Sequence, residues 1–214
     1  MTTPQLSADE ALRYWDDRHR REGVLRSGGH IGLDPSANEA FYLVRTAMLL
    51  RSIGDRASRS ERLLALDAGC GKGYFSGKLE DCGVQVDGID TSPEAVAFCR
   101  EHRAGRYELS SISTWRSPFL YDIVYCADVM FHILDDREWA ASLRNLMSLV
   151  RLAGRLLVAD EWRTDDRPVG DYIVHRAHTR YEAIATEEGL ELRSFQPYAF
   201  RENAVGFLTF DRLA

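Results

Sequence analysis

The sequence predicts an α/β fold: a doubly wound, mostly parallel seven-stranded sheet with an antiparallel final strand and helices on both faces, preceded by two further helices. Three observations predict it. From residue 62 onward, short apolar runs alternate with helical stretches, the pattern of parallel strands joined by crossover helices. The first of these runs empties into a loop of alternating glycines that leads at once into a helix. The last two runs are separated by a short connection, which forces an antiparallel pair.

Taken in order, the first helix is expected over 7–22, where Leu6, Ser7 and Glu10 resemble a capping box. A second is expected over 38–53, with Phe41, Val44, Met48 and Leu49 on one stripe. Between them 23–36 reads as a loop, because Gly28, Gly29, Gly32 and Pro35 break any regular element. Strands follow at 63–67, 84–90, 106–109, 122–126 and 155–160, with helices at 74–82, 93–102 and 137–151. Gly83 and Gly154 are read as helix terminators. A polar stretch over 161–176 precedes a helix at 179–188, which ends at Gly189, and the closing strands are placed at 190–196 and 205–211. No internal repeat or low-complexity segment interrupts this order.

Bulk composition bounds the function. A chain of 214 residues with 45% hydrophobic content supports one substantial core, so 1–214 is read as a single domain. Residues 1–10 lack a secretory signal, and no run reaches the roughly 18 apolar residues of a membrane span, so a cytoplasmic protein is expected. Cys70, Cys82, Cys99 and Cys126 form no CxxC pair or zinc spacing and read as reduced packing residues. A net charge of -6, with Lys only at Lys72 and Lys78 and the arginines interspersed among acids, argues against a phosphate-neutralising surface and hence against nucleic acid.

The strongest local signal is Leu63-Leu64-Ala65-Leu66-Asp67-Ala68-Gly69-Cys70-Gly71-Lys72-Gly73. Glycines permit a tight turn and close backbone approach, and the helix start offers unpaired N–H groups, so the segment has the physics of a nucleotide cradle. The next strand ends in Asp90, at the spacing where a carboxylate accepts both ribose hydroxyls. A nicotinamide-binding enzyme fits less well, given Asp67 before the first glycine and the antiparallel ending, and a P-loop would need Ser or Thr where Gly73 stands.

The segment resembles the first motif of the class I, seven-stranded, Rossmann-like S-adenosylmethionine-dependent methyltransferases, and Asp90 matches that family's ribose-binding acid. The run Tyr121-Asp122-Ile123-Val124-Tyr125-Cys126-Ala127-Asp128 is similar to its fourth motif. The likeness extends from residue 63 to the last strand, and the N-terminal helices look like the cap such enzymes carry, with 1–58 as cap and lid, 59–214 as core and 161–178 as a lid insertion. By this resemblance Asp67, Gly69, Cys70, Gly71 and Gly73 would hold the amino acid part of S-adenosylmethionine, Asp90 the ribose, and Thr91, Ser111, Ile112 and Cys126 would complete the cofactor site. The family usually carries an acid near Ser111 for the adenine amino group, and this chain has Ser110-Ser111-Ile112 instead. The Tyr14-Trp15 pair is expected to close over the sulfonium by cation–π attraction, or to anchor its own helix.

On the acceptor side, a hydroxyl gains acidity as it is methylated, so a nearby base is useful. His132, just past the fourth strand, is the first candidate, with packing or helix capping as its other reading. Asp128, Asp160 and Glu161 should gather at strand ends, where they orient a hydroxyl or, with His132, hold a divalent cation such as magnesium; capping of helices is the alternative. The polar insertion reads either as a lid or as an ordinary surface loop, with Trp162, Tyr172, His175 and His178 as its substrate-binding candidates; His30 of the glycine-rich loop either enters the acceptor pocket or is a solvated loop histidine. The Asn/Asp-Pro-Pro-aromatic turn of nitrogen methylation in macromolecules is replaced by Cys126-Ala127-Asp128-Val129. A small-molecule acceptor is therefore expected, without nucleic acid or membrane, and a homodimer is allowed. O-methylation of a saccharide-like or other polar metabolite is preferred, amine N-methylation is the nearest rival, and a non-catalytic cofactor-binding scaffold is the rival of another class.

Overall fold

The computed structural model describes residues 5–57 and 63–213. The first four residues and the boundary drawn between 58 and 59 lie outside the described residues. Nine strands and seven helices follow in chain order among those residues: α1 Ala8–Arg21, α2 Val24–Ser27, α3 Pro35–Ala57, β1 Leu64–Ala68, α4 Tyr74–Glu80, β2 Gln85–Asp90, α5 Pro93–His102, β3 Tyr107–Leu109, β4 Tyr121–Cys126, a 3-10 turn Met130–His132, α6 Asp136–Ser148, β5 Val150–Glu161, β6 Arg167–Val169, β7 Ile173–His175, α7 His178–Glu187, β8 Leu190–Pro197 and β9 Val205–Arg212.

Seven strands form one sheet in the order β3-β2-β1-β4-β5-β9-β8. The pairs from β3 to β5 are parallel, and β9 runs antiparallel to both β5 and β8. The expected class is therefore observed. Its core strands are apolar on both faces because both are covered. Leu66, Val124, Leu156 and Val158 point to one side, against Trp139, Leu146 and Tyr181 of α6 and α7. Ala65, Ile123, Tyr125 and Leu157 point to the other, against Phe41, Leu49 and Leu79 of α3 and α4.

Local chemistry sets several ends. Ser7 and Glu10 form the reciprocal capping box that starts α1. Ser92 caps α5 through Ala95 N–H, and Asp135 caps α6 through two backbone N–H groups. The segment 23–36 differs from a plain loop: α2 is a single turn inside it, and α3 already begins at Pro35. Gly154 terminates no helix. It lies inside β5 beyond Ala153, whose φ is 56°, where the register against β4 shifts; a Cβ there would sit 2.7 Å from the Arg151 carbonyl oxygen and 2.8 Å from Val150 Cγ1. The 161–178 insertion begins at the end of β5 and holds the antiparallel β6–β7 hairpin.

All four cysteines are free. Among the described residues no helix is long and apolar enough to cross a membrane. Close packing at Gly206 brings β9 against β8: a Cβ there would clash with the carbonyl oxygen of Gln196 and lie 2.5 Å from Pro197 Cα, both rigid backbone. Gly206→Ala is expected to lower the unfolding free energy by about 1–3 kcal/mol, measured by urea denaturation; an unchanged midpoint would show that the two strands can part at no cost.

Candidate active site

The site forms where the strands end. At the carboxyl end of β1 the chain turns through Gly69, Gly71 and Gly73, with φ of 77°, 50° and 66°, a region open to glycine at little cost. Gly69 and Cys70 N–H both donate to the Ile89 carbonyl, at 2.8 and 3.0 Å, which ties the loop to β2. Asp90 then bridges two segments: Oδ2 accepts Gly71 N–H at 2.8 Å and Oδ1 accepts Ser92 N–H at 2.9 Å. A cavity of about 1630 Å³ opens above, larger than an ordinary single-ligand pocket and roomy enough for two small molecules.

The N-terminal helix closes one side. Asp16 Oδ1 accepts from Ser92 Oγ at 2.7 Å, and Lys72 Nζ donates to the Glu22 carbonyl at 2.9 Å. His19, buried over Gly71, keeps a buried Nδ1 without a partner among the described residues, and burial lowers its pKa. Leu6 N–H donates to the Asp171 carbonyl at 2.9 Å, and Trp15 lies edge-on to His132 at 4.7 Å between centroids.

His132 lines the cavity at the end of the 3-10 turn. Its Nδ1 lies 2.9 Å from the Tyr172 carbonyl oxygen, which only accepts, so Nδ1 carries the proton and Nε2 keeps its lone pair. The ring stacks on Tyr172 at 7° between planes, and burial lowers its pKa to about 4. It is therefore a neutral imidazole of fixed tautomer at ordinary pH.

The expected acids occupy different environments. Asp128, with φ of 58°, lines the cavity, but its carboxylate is paired to Arg45 and accepts from Tyr198 Oη at 2.9 Å. Burial works against the Arg45 charge, and Asp128 together with the hydroxyls of Tyr42 and Tyr198 more than offsets it; the guanidinium also faces the rings of Phe41 and Tyr42, 4.0 and 4.2 Å from their centroids. Asp160 is wholly buried below the cavity wall and saturated: it accepts from His175 Nδ1 at 2.5 Å, Tyr181 Oη at 2.6 Å, Glu161 N–H at 2.7 Å and Arg176 N–H at 3.4 Å. It braces β7 and α7 against β5 and cannot meet a substrate. Glu161 lines the cavity with its charge matched by Arg167 at 2.5 Å and Arg163 at 3.5 Å. Asp128, Asp160, Glu161 and His132 thus do not converge, and among the described residues no group of three His, Cys, Asp or Glu side chains could hold a metal ion.

Other expected residues divide cleanly. Gly69, Cys70, Gly71, Asp90, Thr91, Ser111 and Ile112 line the cavity, as do His30, Tyr172 and His175, three of the residues expected to bind substrate. Asp67 does not; it sits beneath the loop, accepts from Ser76 Oγ at 2.6 Å, and burial pushes its carboxyl up to about 7. Gly73 faces Cys99 and Arg103, and Cys126 belongs to the core under β4, so Ala127 reaches the cavity instead. Tyr14 packs on Tyr172 and leaves the wall to Trp15 and His19. Trp162 and His178 stack on each other outside, 4.2 Å between centroids. Arg45 and His19 are wall residues the sequence reading missed; so is Glu138 of α6, whose Oε1 accepts from Ser111 Oγ at 3.0 Å and Ser113 Oγ at 2.6 Å. An i, i+4 spacing on a helix already expected, Trp15 to His19, was the one available signal for the first helix's inward face.

These features fit an adenosyl cofactor. The glycine cradle leaves no room for side chains, Asp90 retains lone pairs toward the cavity, and His19 Nδ1 and Arg45 Nη2 are buried polar atoms without partners among the described residues.

Residues 65–154 match the family described as "Methyltransferase domain". The chain is 32% identical over 107 residues to the mitochondrial ubiquinone biosynthesis O-methyltransferase of Schizosaccharomyces pombe, covering 46% of this chain and 38% of that protein. It is 28% identical over 152 residues to a phosphoethanolamine N-methyltransferase of Triticum aestivum, covering 66% and 27%. The chain therefore spans well under half the length of these two relatives. In structure it is similar to magnesium protoporphyrin IX methyltransferase of Synechocystis PCC 6803 with bound S-adenosylmethionine, at a TM-score of 0.71 and 19% identity over 99% of this chain and 100% of the other.

Gly69 is the tightest point of the cradle, where a Cβ would lie 2.5 Å from Val129 Cγ2 at a positive φ. Gly69→Ala is expected to weaken S-adenosylhomocysteine binding about tenfold or more with the fold retained, read by calorimetry alongside circular dichroism; unaltered affinity would remove the loop from the binding site.

Proposed function

We propose that this chain, which resembles the class I S-adenosylmethionine-dependent methyltransferases in sequence over 65–154 and in fold over nearly its whole length, transfers a methyl group to a hydroxyl of a small, polar-headed acceptor. The observation that carries the reading is His132: a neutral imidazole of fixed tautomer on the wall of the cavity that begins at the glycine cradle. In this reading the loop at Gly69–Gly71 holds the donor's amino acid tail, Asp90 its ribose, and Glu138, steadied by Ser111 and Ser113, accepts from its adenine amino group. The bound donor supplies an electrophilic methyl on a sulfonium.

The chain's own residues do the rest. Trp15, Phe131 and Tyr172 around His132 keep water away, and the wall fixes the attacking oxygen in line. As that oxygen gains a methyl it becomes strongly acidic, so Nε2 of a weakly basic imidazole suffices to take the proton. Oxygen is favoured over nitrogen on the same ground. An amine with pKa around 10 must lose its proton before attacking, and a ring held near 4 is a poor acceptor for it. Tyr172 and Phe200, which line the cavity, offer aromatic surface for an acceptor's ring, in keeping with a saccharide-like or comparable cyclic metabolite.

Labelled donor incubated with pooled small metabolites tests this: label on oxygen supports it, label on nitrogen replaces it with amine methylation, and donor binding without transfer leaves a scaffold. His132→Ala is expected to lower kcat by about 10²–10⁴ with donor affinity retained; full activity would remove the ring from the mechanism.

The same ring predicts a pH effect. Its folded value of about 4 lies below the ordinary 6.5, so the unfolded chain binds the extra proton between those limits. Stability from this ring is present above 6.5 and lost as pH falls through the window, up to roughly 3 kcal/mol. His132→Gln should abolish that component, so the wild-type advantage in unfolding free energy shrinks from about pH 7.5 to about pH 4.5; a constant difference would contradict the burial argument.

A further inference from the structure

A second cavity of about 170 Å³ lies behind α1, walled by Arg18, Arg21, Arg26, His30 and Asn38 with Glu22. In a chain whose net charge is -6, three guanidinium groups there meet one carboxylate, and that carboxylate is already taken by Arg26 at 3.2 Å. Arg18 is the unusual member. It is 9% exposed, and its Nε and Nη2 donate only to the carbonyl oxygens of Arg26 and Gly29. Among the described residues it has no carboxylate partner, so its charge is buried without a counter-charge, which is costly unless something supplies one.

The other polar groups are arranged as donors. His30 Nδ1 accepts Gly32 N–H at 3.1 Å, which leaves the ring proton on Nε2. Asn38 is spent holding this loop: Oδ1 accepts His30 N–H and Nδ2 donates to the His30 carbonyl, both at 2.9 Å. Guanidinium groups pair with phosphate and carboxylate oxygens through directed, charge-assisted bonds. Arg18, His30 and Ile31 also line the large cavity, so the two spaces share a wall.

We infer that this side pocket binds an anionic group, a phosphate or carboxylate, carried on the acceptor whose reactive end reaches His132. The acceptor's part rests on the function proposed above; the anion site itself does not. Calorimetry on protein saturated with S-adenosylhomocysteine, using inorganic phosphate and phenyl phosphate as probes, tests both. Phenyl phosphate is expected to bind saturably and about tenfold more tightly than phosphate, because its ring enters the shared cavity. Arg18→Met, which keeps the stem, and the double variant Arg21→Gln/Arg26→Gln at exposed positions should each weaken it about tenfold, with S-adenosylhomocysteine affinity within about twofold of wild type. Absence of saturable binding, or binding unmoved by the variants, overturns the site. Equal affinity for the two probes overturns the acceptor's part in favour of a free ion. Loss of S-adenosylhomocysteine affinity in Arg18→Met, with phenyl phosphate unaffected in the double variant, assigns Arg18 to the donor's carboxylate and overturns the inference. Should Arg18→Met fail to fold, the double variant decides. Failure of wild-type protein to bind S-adenosylhomocysteine refutes the donor site alone, because phosphate titration of the free protein still reads the pocket.

Discussion

The carboxylate of Asp90 is the constraint on which the candidate site depends. Through one oxygen it holds Gly71, and through the other Ser92, so the glycine loop after β1 and the start of α5 are fixed to the end of β2. Each contact is a charge-assisted hydrogen bond to a backbone N–H, the strong kind. The N-terminal helix is secured at the same place, because Ser92, held by Asp90 through its backbone, donates its hydroxyl to Asp16. His19 then comes down over Gly71. The glycine loop, the Asp90 carboxylate and the N-terminal helix are thus one connected structure, and a ligand held there would have the carboxyl ends of β1, β2 and β4 on one side and α1 on the other.

Beyond that anchor, charge is managed in two ways. Asp128, at the cavity, pairs with the buried Arg45 under aromatic cover, which keeps the wall beside the end of β4 nearly neutral. Asp160 is drawn fully inside and saturated by four donors, one of them His175, which fixes the β6–β7 hairpin over the cavity. Breaking such a buried network strands its remaining members, so these acids hold the walls in place. His132 meets the cavity as a ring whose charge is suppressed chiefly by burial and whose tautomer is set by the Tyr172 carbonyl.

Much of this was legible in the sequence where the determinants are local. The capping box at Ser7 and Glu10, the crossover pattern and the Asp67-to-Gly73 loop followed by Asp90 are read from spacing alone, and β9 turned antiparallel as the short final connection requires. What could not be read is tertiary. No spacing rule brings Arg45 to Asp128, or Glu138 to Ser111, across the fold. Gly154 looks like a helix stop in sequence, yet the structure uses it where β5 folds back closely on Arg151 and Asp122. Asp160 and Glu161 are adjacent, but strand alternation sends one into the core and the other to the cavity. Composition groups Trp162 and His178 with the lid, whereas in the structure they stack on each other on the outside.

The most direct measurement is calorimetric titration of S-adenosylhomocysteine into the wild-type protein and into Asp90→Ala. Wild type should bind with a defined one-to-one isotherm, and the variant, deprived of the diol's acceptor and of the brace on Gly71, about a hundredfold more weakly. Equal affinities in the two proteins, or no heat with folded wild type, would contradict the account.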